Sequence, residues 1–228
     1  MSELLSLLVN ILPLAFGAAV SPTVLIGIIL ILSVADRPKL DGTAFYVGAI
    51  ILLLIVVAAG ILLGKGVAVA SNKPPSVASA YFDLTLGVLL ILLGIWRIAK
   101  KGHGGPDKGR FGGESKSTAS DFIKYMILGI GMFVINFTTT VLVFAAGKNI
   151  GISGAGAVDK VAVVIILTLI TLLVIEIPLL IYFTMPERSE KILGPINVWM
   201  QKNGRYLMAA VIFAFGIYLI LKGSWVLF

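Results

Sequence analysis

Eight residues stand out because their chemistry does not suit the apolar stretches that hold them. Gly17, Ser21, Pro22 and Thr23 form one group, Asn136, Thr138 and Thr139 a second, and Glu176 stands by itself. Pro22 has no N–H to give to the Ala18 carbonyl, and its ring presses on that carbonyl, so a helix through this point must kink or break. The carbonyls released there, and the N–H groups that open the following half-helix, could hold a solute near the middle of a bilayer. A plain kink packed through Gly17, Ala18 and Ala19 accounts for the same residues. The threonines, with Thr140, can bond back to the preceding turn. The Asn136 amide is harder to place in lipid, because it needs a partner on another helix or in a wet cavity.

Glu176 is the one carboxylate deep inside an apolar run, with Pro178 just after it. A carboxyl whose exposure changes with conformation is a proton-coupling element. A neutral Glu176 bonded to a carbonyl freed by Pro178 is the plainer alternative. Asp83 and Lys148 have plainer readings too. Asp83 sits early in its run, where it complements a helix macrodipole, and Lys148 closes its run and is expected to snorkel to the interface.

Much chemistry is excluded. The chain has no cysteine, so disulfides, thiolate nucleophiles and cysteine-based zinc sites are absent. Its one histidine, His103, lies in a glycine-rich stretch, which rules out a multi-histidine metal site. There is no P-loop pattern and no Ser–His–Asp set. The reading is therefore not an enzyme, with no cofactor and no resident metal.

The elements that must position these residues are membrane helices. Of 228 residues, 59% are hydrophobic and only 13% charged, with a mean hydropathy of +1.07. A soluble domain of this size is about a quarter charged. Six apolar runs follow one another: Leu12–Ser33, Thr43–Gly64, Tyr81–Ile98, Phe122–Ala146, Val161–Phe183 and Tyr206–Trp225. Each is near the ~20 residues that cross a bilayer as a helix, and a helix satisfies its own backbone there. Of the 18 lysines and arginines, 13 fall on one side when the segments alternate. That side is cytoplasmic by the positive-inside rule, so both termini face outward from the plasma membrane. The net charge of +7 is then mainly a topology signal, and nucleic acid is not an expected partner. Gly60 and Gly64, in small-xxx-small spacing, could pack two helices closely.

The chain reads as two halves, residues 1–99 and 122–228, joined by a Gly-, Ser- and Lys-rich cytoplasmic linker over 100–121. The halves resemble each other. Phe16 and Ser21-Pro22-Thr23 match Phe133 and Thr138-Thr139-Thr140 at an offset of 117, and Gly94-Ile95-Trp96 matches Gly216-Ile217-Tyr218 at 122. A repeated unit with an odd number of spans must insert upside down. The predicted fold class is therefore an all-α polytopic membrane protein of six transmembrane helices, arranged as two inverted three-helix repeats, with the first and fourth spans broken.

The residues also carry a family resemblance. Ala19-Val20-Ser21-Pro22, the charged turn with Arg37-Pro38, Ala44-Phe45-Tyr46-Val47-Gly48, and Leu86-Gly87-Val88 followed by Leu93-Gly94-Ile95-Trp96-Arg97 resemble the GAP family of the lysine-exporter (LysE) superfamily. These are peptidoglycolipid- or sulfolipid-addressing proteins. The resemblance covers essentially the whole chain. It implies a six-helix body that moves glycolipids to the cell surface, with superfamily relatives that export amino acids or metal ions. Where the family often shows Asn-Pro-Lys-Asn, this chain has Asn136-Phe137-Thr138-Thr139, without the proline and lysine. A related branch works through paired cysteines, which are missing here.

Together these readings predict a secondary transporter exporting a lipid-linked or amphipathic substrate. Ser21, Pro22, Thr23, Asn136, Thr138 and Thr139, beside Gly17, would shape its site, and Glu176 would couple it to protons. The alternatives are an exporter of small solutes and a non-transporting scaffold or accessory subunit. Expected partners are membrane lipids, the small-molecule or lipid-linked substrate and, from the apolar outer faces, a second copy in a homodimer.

Overall fold

A computed structural model describes residues 3–70, 77–99 and 118–227. Among them every regular element is an α-helix: α1 Glu3–Ala19, α2 Pro22–Val34, α3 Pro38–Ala70, α4 Val77–Ala99, α5 Thr118–Ile135, α6 Phe137–Ile152, α7 Ala157–Thr184 and α8 Pro186–Leu227. Four of these, α3, α4, α7 and α8, are long and apolar enough to cross a membrane. The other four form two bent pairs, α1–α2 at 55° and α5–α6 at 81°, so the number of spans is between four and six.

The bends fall where local chemistry breaks the backbone ladder. Between α1 and α2, Pro22 occupies the first turn of the new helix, where its missing N–H costs nothing, and Ser21 caps it by accepting from the Val24 N–H at 3.4 Å. Between α5 and α6 only Asn136 leaves the helix. No proline is involved. The flanking Phe137-Thr138-Thr139-Thr140-Val141 run is poor in helix formers, which makes a single-residue break inexpensive.

Each bent pair packs on a long helix from the other end of the chain. Helix α3 lies along α5 and α6, while α7 lies along α1 and α2, and α1 also runs beside α6. Helices α4 and α8 pair lengthwise, and α8 reaches α2 as well. Phe45, Phe133, Leu142, Ile11, Leu14 and Ile28 are fully or almost fully buried between these layers. A close seam joins α3 to α6. A Cβ added to Gly60 would stand 2.5 Å from the Phe144 carbonyl oxygen, and one on Gly151 would stand 2.4 Å from that of Ile61. The expected close pairing at Gly60 and Gly64 thus has its partner, a matching Gly147/Gly151 face.

Two contacts flank the first bent pair. Before it, Glu3 reaches the α6–α7 junction at Gly154. Beyond it, the Lys39 ammonium lies 5.6 Å from the Phe183 ring centroid. The sequence segmentation differs from the structure at several helix ends, among them α1, which begins at Glu3, nine residues before the run at Leu12. Helix α8 starts at Pro186, twenty residues before the apolar run at Tyr206, because Pro186 suits a first turn and Ser189 and Leu193 are buried along one side. Helix α5 takes in Thr118 to Asp121, the end of the 100–121 linker; the linker's remaining residues lie outside the described ones.

Candidate functional site

The two breaks meet. Asn136 at the α5–α6 bend donates from Nδ2 to the Ser21 hydroxyl at the α1–α2 bend, and also to Thr139 Oγ1 at 2.8 Å. Thr139 in turn donates to the Ala18 carbonyl at 2.9 Å. That is the carbonyl Pro22 cannot satisfy, so the group freed by the proline of one half is taken up by a threonine of the other. The second break is repaired in kind. Phe133 O loses its helical partner and accepts instead from Thr140 Oγ1 at 3.0 Å.

Ser21 is 2% exposed, Asn136 6% and Thr139 1%, so these groups bond to each other and fill the junction. In this arrangement the junction is shut. Thr138 is buried in the same turn and Thr23 is half-buried at the start of α2. Gly17 and Pro22 serve a different purpose from the polar groups, since each gives α8 a seat. A Cβ on Gly17 would fall 2.2 Å from Phe215 Cε2, so the Phe215 ring lies where a side chain would be. Gly204 approaches Pro22 so closely that its own Cβ would be 2.7 Å from that of the proline. Helix α8 thus covers the α1–α2 break at both ends.

Glu176 is paired elsewhere. Its Oε1 accepts from the Tyr46 hydroxyl at 2.7 Å, joining α7 to α3. Of the predicted set, the structure therefore brings Ser21, Asn136 and Thr139 into one hydrogen-bonded group and puts Glu176 in a separate pair. Tyr46 was legible only as part of the family resemblance, with no sign in the sequence of what it would touch.

The expectations for Lys148 and Asp83 are overturned. Lys148 does not snorkel: it is fully buried. Its ammonium forms an ion pair with Asp83, donates to Ser79 Oγ at 3.0 Å and to Ser79 O at 3.3 Å, and lies 5.3 Å from the Phe82 ring centroid. The second Asp83 oxygen is 3.9 Å from Lys222 Nζ. Asp83 is thus a counter-ion between helices rather than a macrodipole complement. A lone lysine near a span end looks the same in sequence whether it reaches out or in. The readable signal was the pairing of one acid with two bases at matching distances from span ends.

A membrane protein of packed, interrupted helix pairs whose breaks bond to one another is what the fold and junction define. The chain belongs to a particular family of such proteins: the family model described as Sap, sulfolipid-1-addressing protein, matches residues 11–224. No curated protein and no solved structure matches the chain.

Proposed function

We propose that this protein is a secondary transporter, not an enzyme, that exports a lipid-linked or amphipathic substrate across the plasma membrane by alternating access. Membership of the sulfolipid-1-addressing family supports a role in lipid export. The observation that carries the mechanism is the junction of the two breaks, where Asn136 bonds Ser21 and Thr139 bonds the Ala18 carbonyl. These bonds satisfy the Ala18 carbonyl and tie the Asn136 amide to Ser21 only while the halves are together. Separation would release the same carbonyls and amides toward a substrate, which is how transporters with interrupted helices hold their cargo. No metal centre or cofactor enters this reading.

The body is read as six spans in two inverted repeats, within the lysine-exporter superfamily. Two features support this. The two residues that cap the half-helices, Ser21 and Asn136, are 115 apart. Each half also packs its unbroken middle helix on the bent pair of the other, α3 on α5–α6 and α7 on α1–α2. The face with Lys39 is read as cytoplasmic and the face with Glu3 as external. Lys148 and Lys222, counted from sequence among the few external cations, sit in an ion cluster, which sharpens the charge asymmetry.

The test is flux in proteoliposomes with a fluorescent anionic glycolipid analogue and, in parallel, labelled amino acids. Lipid movement that is lost in Asn136→Ala supports the reading. Amino-acid counterflow with inert lipid would replace it by the small-solute exporter, and no flux of either by the scaffold. Glu176 is assigned the proton-coupling role, with Tyr46 holding its carboxyl. A Glu176→Gln protein with wild-type rate and wild-type pH profile would remove that role.

A further inference from the structure

We propose that Asp83, Lys148 and Lys222 form an exchangeable ionic latch that holds the α4–α8 pair closed over the junction of the two bent helix pairs. Helices α4 and α8 act as one body. Gly87 and Gly216 face each other along their seam, and a Cβ on Gly223 would stand 2.8 Å from the Ala80 carbonyl oxygen. By contrast, α4 meets α6 and α3 only sparsely. The ties from α4 to α6 include the Lys148–Asp83 pair, the two bonds from Lys148 to Ser79, and the Phe82–Phe144 ring contact at 5.8 Å.

Asp83 has two cationic partners on different bodies. Lys148 belongs to α6 and is fully buried. Lys222 belongs to α8, which moves with α4, and its side chain is 28% exposed. Parting α4–α8 from α6 breaks the first pair but leaves Asp83 beside Lys222, so the carboxylate is not stranded in lipid. Lys148 would meet water at the opening cleft. An acid with a partner on each side of a moving seam lets that seam open without an unpaired buried carboxylate, the usual obstacle to breaking an ion pair in a membrane. The far reach of the same body is what seals the site. Phe215 on Gly17 and Gly204 on Pro22 are α8 contacts, so swinging α8 away uncovers the α1–α2 break.

This assignment builds on the alternating-access reading, but its first test needs no substrate. The chain has no cysteine, so cysteines at Ser153 and Ser224 would be its only thiols. Spin labels there report the distance between the ends of α6 and α8 in lipid vesicles. Lys148→Met should add a population longer by about 5 Å, the scale of a one-turn shift, while Lys148→Arg should keep the parent distribution. An unchanged distribution in a folded Lys148→Met protein overturns the latch. If Lys148→Met does not fold, cysteines at Phe82 and Phe144 decide the matter. A bridge between them should cut lipid flux by at least about tenfold, reversibly on reduction, and undiminished flux through a bridged protein overturns the latch. Lengthened distances in a protein that moves no lipid would keep the latch and reject the substrate.

Discussion

A buried cation and a buried anion do not fail alike when one is removed. Asp83→Asn leaves the fully buried Lys148 charge with neutral partners alone, the Ser79 oxygens, the Phe82 ring and the new amide, whereas Lys148→Met leaves Asp83 beside Lys222. Stranding a buried charge typically costs about 3–5 kcal/mol. Asp83→Asn is therefore expected to lower the thermal midpoint in detergent clearly more than Lys148→Met. Equal losses would mean that Lys222 gives Asp83 no support. At the junction, Asn136→Ala removes two hydrogen bonds between buried groups. Bonds of this kind inside membranes average only about 0.6 kcal/mol each, so the protein should still fold, with a small drop in thermal midpoint and a large loss of flux. A midpoint collapse would recast Asn136 as a structural residue.

The elements show which signals in the sequence reach three dimensions. The Pro22 break was legible because a missing N–H acts on a known carbonyl four residues back, and the Ala18 carbonyl does take another donor. The second break was legible only as a cluster of polar residues at the matching depth. Its position, Asn136, comes from a competition among weak helix formers that no single residue decides. This explains the shift in register between the halves: apolar matching aligns Ser21 with Thr138, while the helix caps align Ser21 with Asn136. The spacing of Gly60 and Gly64 showed a sticky face but not its mate. Gly147→Leu places four carbons where the α3 backbone now lies, 2.6 Å from a Cβ at that position. Overpacking of this sort costs about 1–3 kcal/mol. Gly131→Leu, which meets nothing within 4 Å, is the control and should melt with the wild type.

At the scale of the molecule, hydropathy revealed a membrane protein and its approximate spans. It could not reveal which helices lie together, because lipid tails are as apolar as the faces they cover. The partition of the ion cluster across three helices was invisible for the same reason. The face assignments predict a labelling pattern. With single cysteines, Glu3→Cys and Ser224→Cys should react with an impermeant maleimide from the same side of a sealed vesicle, and Lys39→Cys from the opposite side. Reaction of residues 3 and 224 from different sides would require an odd number of crossings and would dissolve the paired-repeat reading.

Helix α8 runs unbroken through 42 residues, with Pro195 in its first third. At 1.5 Å per residue it is a rod of about 63 Å, roughly twice the thickness of the hydrocarbon layer. Such a rod is a lever whose two arms end in different surroundings. Tilting it by about 10° carries one tip sideways by about 11 Å relative to the other. A push on the charged arm near Glu187 to Lys191 would therefore be felt at Lys222, close to the far tip of the rod.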